Sequence, residues 1–433
     1  MLSATRKAFT TLPNVASKAT YATASQAVQI TTAQNGIKVA SVEDASQTAG
    51  LSVVVNGGAR LENGKNAGVA HYLKNYGFKN TTKRSAFRIA REAELVGAVL
   101  SSNLTHESLV FSAEFLKEDA ELAAELLGDV VSNQKFQPHE FVDLKKQVVN
   151  ESTAALSNPE TIAIEAAHQT AFRTGLGNSI FARASNKVTN DTVKAFAAEA
   201  FTQGNITLVG TGLDLATVER LASFIQVPAG QSTFTASKYY GGESRIDTGA
   251  GSGHYILAFE GAAANTSEYA ATQVLQQALG GLQSSPLAPV SGLFGQTVAK
   301  LTEGTQLKAF NYGYSDAGLF GVYVSAPSTD AASSAIAAAA EQLKALTQGL
   351  SAEDFQRAVA QAKFAAAASY NTRLDRLETI GSQAVAAADV AAAFDKLAVA
   401  DVIKVAQQVL KSKPTAVAVG DVYNLPHSDS ISL

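Results

Sequence analysis

Residues 68–78 read GVAHYLKNYGF, and positions 71 to 75 have the spacing of a zinc site. On a helix, positions four apart share a face. His-x-x-Glu-His therefore lets two imidazoles grip one metal while the Glu between them polarises the attacking water. A Glu from a distant helix completes three protein ligands and leaves the fourth position to water. Here the five positions are His71, Tyr72, Leu73, Lys74 and Asn75. The second ligand position is thus an amide, whose neutral oxygen is a poor zinc ligand beside imidazole. The base position is an ammonium, which cannot take a proton from water. Loss of a positioned base alone costs on the order of 10²–10⁴ in rate. An ammonium ~5 Å from a dication, at an effective dielectric of ~20, is also repelled by several kcal/mol.

The distant acid is present: VVNESTAAL places Glu151 in another helical segment. His71, Lys74, Asn75 and Glu151 are therefore expected to be the relic of a metal site, with no catalytic residue and no bound metal. HYLKN alone would also suit a plain amphipathic helix, with Val69, Tyr72 and Leu73 turned inward and Lys74 solvated. His106 and His139 could replace the missing base only by coincidence.

The elements that must position these residues come in a repeat. GLSVVVNGGARLENGKNAGVAHYLKNYGF (50–78) runs strand, turn, helix, and GHYILAFEGAAANTSEYAATQVLQQALGG (253–281) has the same order. Residues 136–172 and 350–385 pair as long segments of helical period, with Phe141 opposite Phe355 and Glu151 opposite Ala365. Strand pairs precede them at 102–115 and 309–326, and each half closes on a short strand, at 205–212 and 415–421. The expectation is an α+β chain of two similar halves, each a mostly antiparallel mixed sheet with helices packed on one face. The boundaries read as residues 22–230 and 254–433, joined by a Gly- and Ser-rich linker at 231–253.

Composition narrows the function classes. Of 433 residues, 46% are hydrophobic and 17% charged, which is a globular balance, and the net charge of −4 carries no basic stripe for nucleic acid. Cysteine is absent and histidine occurs six times, so disulfides, thiolate metal sites and a cysteine nucleophile are excluded. No Gly-x-Gly-x-x-Gly follows the first strand, and GGLQSSPLAPVSG lacks the lysine of a phosphate loop. No haem-attachment motif or membrane-spanning run is visible either, so no cofactor is expected. The first 28 residues are basic, rich in Ser and Thr and free of acid. That is the pattern of a mitochondrial transit peptide, read here as residues 1–21.

Three segments carry a family resemblance: NAGVAHYLKNYGFKNTTKRS, LGNSIFARASNKVTNDTVKAF and AFNYGYSDAGLFGVYVSA. Together they resemble the pitrilysin-type family of inverted-zinc-motif metallopeptidases. Within it they are similar to the mitochondrial branch, which includes the processing peptidase subunits and the core proteins of respiratory complex III (ubiquinol–cytochrome c reductase). Position by position, His71, Lys74 and Asn75 stand where active members have His, Glu and His, and Glu151 stands at the third ligand.

The resemblance implies two halves forming a bowl around a cavity. It also implies a non-catalytic structural subunit, peripheral on the matrix side of the mitochondrial inner membrane and needed for assembly and stability of complex III. Its implied partners are core protein 1 and the cytochrome b, cytochrome c-type and Rieske subunits, within a dimeric complex, with a presequence peptide as a further ligand. The alternative is the non-catalytic, peptide-holding subunit of the mitochondrial processing peptidase, which carries a long glycine-rich loop. Here GGLQSSPLAPVSGLFGQTVAK (280–300) has four scattered glycines, which does not read as such a loop.

Overall fold

The computed structural model describes residues 28–231, 234–249, 251–281, 292–386 and 393–432. Residues 1–21, read from the sequence as a transit peptide, lie outside the described residues, as do residues 282–291 of the stretch compared with the glycine-rich loop.

In chain order the first half contains β1 (Gln29–Thr32), β2 (Lys38–Val42), β3 (Thr48–Asn56), α1 (Val69–Tyr76), α2 (Ala86–Leu95), β4 (Val99–Leu104) and β5 (Ser108–Leu116). It continues through α3 (Ala120–Ser132), α4 (Pro138–Ala155), α5 (Pro159–Phe172), α6 (Asn190–Ala200), β6 (Ile206–Thr211) and α7 (Leu215–Leu221). The second half begins with β7 (Gly242–Asp247), β8 (Gly253–Gly261), α8 (Glu268–Leu279), α9 (Gly292–Val298), β9 (Gln306–Gly313) and β10 (Gly318–Ala326). It ends with α10 (Thr329–Gln348), α11 (Ala352–Ala368), α12 (Arg373–Ala386), α13 (Val399–Lys411) and β11 (Thr415–Gly420).

The two sheets repeat one topology. Their orders are β1-β2-β6-β3-β5-β4 and β7-β11-β8-β10-β9, so apart from β1 each strand has a counterpart. The single parallel contact is the same in both, β2 with β6 and β7 with β11. The other pairings are antiparallel. The α+β reading with two similar mixed sheets is the observed architecture. One element was hidden in the stretch read as linker: β7, with the sequence GESRID, is a partly exposed edge strand. Its polar residues look like a loop because one edge of the strand faces solvent.

The main cores form as alternation dictates. Leu51, Val53 and Val55 of β3 face α1, α3 and α6, while Tyr255, Leu257 and Phe259 of β8 face α8, α10 and α13. Each sheet also receives one helix on its opposite face, and that helix comes from the other half. Ala163, Ala167, Ala171 and Phe172 of α5 pack on Ile256, Ala258, Val417 and Val419 of the second sheet. Leu377 and Ile380 of α12 pack on Ala40, Val54, Val110 and Val209 of the first. The exchanged helices are repeat counterparts. Small residues permit the close approach: a Cβ on Gly381 would meet Val54 Cγ2 at 2.6 Å, and one on Gly50 would meet Leu377 Cδ1 at 2.9 Å. With both faces covered, β3 is buried over seven consecutive residues.

Candidate functional site

Helix α1 starts at Gly68, whose φ of 87° suits glycine. The Glu62 carboxylate accepts the Gly68 and Ala70 N–H groups, each at 2.7 Å, and so caps the first turn. Val69, Tyr72 and Leu73 are buried in the main core, which turns His71, Lys74 and Asn75 toward α4. Tyr72 stacks on Phe141 with ring centroids 5.4 Å apart, fixing α4 against α1. Glu151 is thereby brought to all three residues.

Glu151 Oε2 lies 2.9 Å from His71 Nε2, 3.0 Å from Lys74 Nζ and 3.1 Å from Asn75 Nδ2. Gln147, one turn earlier on α4, donates to Glu151 Oε1 at 2.9 Å and to Asn75 Oδ1 at 3.0 Å. Asn75 also donates to the His71 carbonyl. The Ala182 N–H donates to His71 Nδ1 at 3.2 Å, so a neutral ring carries its proton on Nε2 and gives it to Glu151. Burial pushes the His71 pKa down, and Lys74 pushes it further, against the pull of Glu151. Burial alone would raise Glu151. The hydrogen bonds from Gln147, Asn75, Lys74 and His71 outweigh it and hold the carboxyl at about 2.

This arrangement does not fit zinc. The imidazole nitrogen that should offer a lone pair is a donor, the second ligand is an amide, and the ammonium of Lys74 neutralises the carboxylate that would have met the metal. Among the described residues no three His, Asp or Glu side chains converge as a metal site. The other histidines lie elsewhere. His139 is exposed in the first turn of α4, about 18 Å along the helix from Glu151. His106 stacks on His168 with centroids 4.3 Å apart and donates from Nδ1 to the Asn178 carbonyl. Burial first and His106 second hold His168 down at about 3.

The sequence reading missed Gln147 and the Ala182 amide. Gln147 sits four residues before Glu151 and shares its helix face, so spacing could have found it. The amide contact is set by a loop 111 residues away in sequence and leaves no local sign.

The cluster can be tested through pH. The Glu151 pKa falls from 4.5 free to about 2 in the fold, so its stabilising contribution is complete above about pH 4.5 and is lost as pH falls toward 2. Glu151→Gln should lower stability by roughly 1–2 kcal/mol at pH 7, a charge-assisted value discounted for partial exposure. The gap from the unchanged protein should close between pH 4.5 and 2 in urea titrations. A gap that stays constant across that range would remove the carboxylate from the cluster's energetics.

The YSDAG turn of the third sequence marker reaches across to the first half. Tyr314 Oη lies 2.7 Å from His168 Nε2. The Ser315 N–H donates to Glu107 at 3.0 Å, and Asp316 pairs with the fully buried Arg60.

Two mixed sheets of one topology, with His71, Lys74, Asn75 and Glu151 joined by hydrogen bonds between α1 and α4, mark a peptidase-type α+β fold. A family model described as "Insulinase (Peptidase family M16)" matches residues 38–183, and one described as "Peptidase M16 inactive domain" matches residues 187–362. The chain belongs to the M16 peptidase family.

Its similarity to one group of relatives runs almost end to end. It is 36% identical over 419 residues to "Cytochrome b-c1 complex subunit 2, mitochondrial" of Cryptococcus neoformans var. grubii, covering 93% of this chain and 94% of that protein. The proteins of that name from Neurospora crassa and Homo sapiens are 34% and 32% identical, with at least 90% of each chain covered. A chain of the solved "Complex III2 from Candida albicans, Inz-5 bound" superposes with a TM-score of 0.81 at 17% identity, covering 93% of this chain and 98% of that one, which shows the shared fold.

Proposed function

We propose that this chain is core protein 2 of mitochondrial complex III: a non-catalytic structural subunit, peripheral on the matrix side of the inner membrane. The observation that carries this reading is the similarity across at least 90% of both chains to relatives named as subunit 2 of the cytochrome b-c1 complex. The ion pair of Lys74 with Glu151 supports a role other than metal-dependent hydrolysis. No helix among the described residues is long and apolar enough to cross a membrane, so attachment would run through other subunits. Those are core protein 1 and the cytochrome b, cytochrome c-type and Rieske subunits, in a dimeric complex. Residues 1–21 would direct import.

The test is a native gel of gently solubilised mitochondrial membranes, probed for this chain beside the haem signal. Co-migration with the haems is expected, with less than one zinc per chain in the purified protein. Migration as a small soluble heterodimer would overturn the assignment in favour of the peptide-holding subunit of the processing peptidase.

A further inference from the structure

At the C-terminal end of α5, Arg173 adopts φ 63° and ψ −52°, and the Thr174 N–H donates to the Phe172 carbonyl at 2.7 Å. This is a γ-turn of the rare positive-φ hand, which glycine takes freely and a residue with a side chain takes only under strain. The turn delivers one contact: the Arg173 guanidinium lies 4.1 Å from the centroid of the Tyr240 ring. Lys238 Nζ approaches the same ring at 5.6 Å. Lys413 runs alongside, its carbonyl accepting from Tyr239 Oη at 2.8 Å.

Arg173, Lys238, Tyr240 and Lys413 are all exposed. None of the three cations is in an ion pair among the described residues. Nearby Glu243 is committed to Arg245, His427 and Ser428. On a chain of net charge −4, Arg173 and Lys238 place two unpaired cations on one accessible aromatic ring.

We propose that Arg173 and Lys238, gathered on Tyr240, form a docking site for a carboxylate-rich segment of a neighbouring subunit. The inference rests on the reading of the chain as a subunit of a larger assembly. A guanidinium receives a carboxylate through two parallel N–H bonds, and Tyr with Arg at one spot is the pairing that dominates protein interfaces. A lipid surface would instead call for a broad basic face, since each cation contributes only about 1 kcal/mol there. The spot is confined to one ring.

The experiment treats the purified complex with a water-soluble carbodiimide, which links an ammonium to a carboxylate in contact, and reads the products by peptide mass spectrometry. The expected product joins Lys238 to an Asp or Glu of another subunit, and acetylation of Lys238 should be several-fold slower in the complex than in the free chain. Equal acetylation with no inter-subunit link overturns the proposal. So does protection that disappears on delipidation without any such link, which would assign the site to lipid.

Arg173→Gly separates docking from architecture. It relieves the strained turn, so the Tm of the free chain should rise by about a degree or two while the inter-subunit link is largely lost. A fall in Tm with the link intact would make Arg173 a structural clamp and sink the proposal. If the chain is missing from purified complex III, the assembly assignment fails first, before any link is sought.

Discussion

Replacing Arg60 with alanine should lower the stability of the chain by about 3–5 kcal/mol, the cost of leaving buried charges without their partner. The Arg60 side chain is 0% exposed and pairs with Glu107 at 2.8 Å and with Asp316. Its Nη1 also donates to Ser315 Oγ at 3.3 Å, and the guanidinium covers the Phe234 ring at 4.0 Å. Arg60 and Glu107 belong to the first half, and Ser315 and Asp316 to the β9–β10 turn of the second. Without the cation, two partly buried carboxylates face each other across the junction of the halves.

Arg60→Lys should recover only part of the loss, because one ammonium cannot present the planar fork that reaches both acids. The contrast is Arg220→Ala. That pair with Glu121 is 58% and 65% exposed, so its removal should stay within about 0.5 kcal/mol. Urea midpoints of the three variants decide the matter. Similar shifts for Arg60→Ala and Arg220→Ala would show that the Arg60 cluster does not hold the halves together.

Much of this architecture was legible because its signals are local. β-branched alternation marks β3 and β5, and the 3.6-residue period marks α4 and α11. The repeat paired β3 with β8, β4 and β5 with β9 and β10, and β6 with β11. At the candidate site, the i, i+4 spacing of His71 and Asn75 and the reading of Glu151 on another helix named residues that do meet in the fold. What was not legible depends on distant parts of the chain. β7 is polar because it is an edge, so its sequence carries a loop's composition. The tautomer of His71 is set by the Ala182 amide, and Arg60 meets Asp316 across 256 positions. Nothing local records either meeting.

The exchange of α5 and α12 had no local sign either, since the apolar face of a helix does not record which sheet it covers, and it has the largest consequence for folding. Without α12, the first sheet would present Ala40, Val54, Val110 and Val209 to water. Burying Leu377 and Ile380 there contributes roughly 3–6 kcal/mol for the two side chains, a large part of the net stability of most domains. The second sheet loses as much without α5, whose Phe172 is fully buried against it. Each half therefore completes the other. Residues 28–230 expressed alone should show no cooperative unfolding transition and should aggregate through the bare sheet face. Expressed together with residues 234–432, the same fragment should be recovered as a soluble one-to-one pair. In the intact chain, Ile380→Asp should place an unpaired carboxylate in that contact at a cost of more than about 4 kcal/mol, melting both sheets in one transition. Two separated transitions on calorimetry, with the second sheet unaffected, would mean that the halves are stable units merely resting on one another.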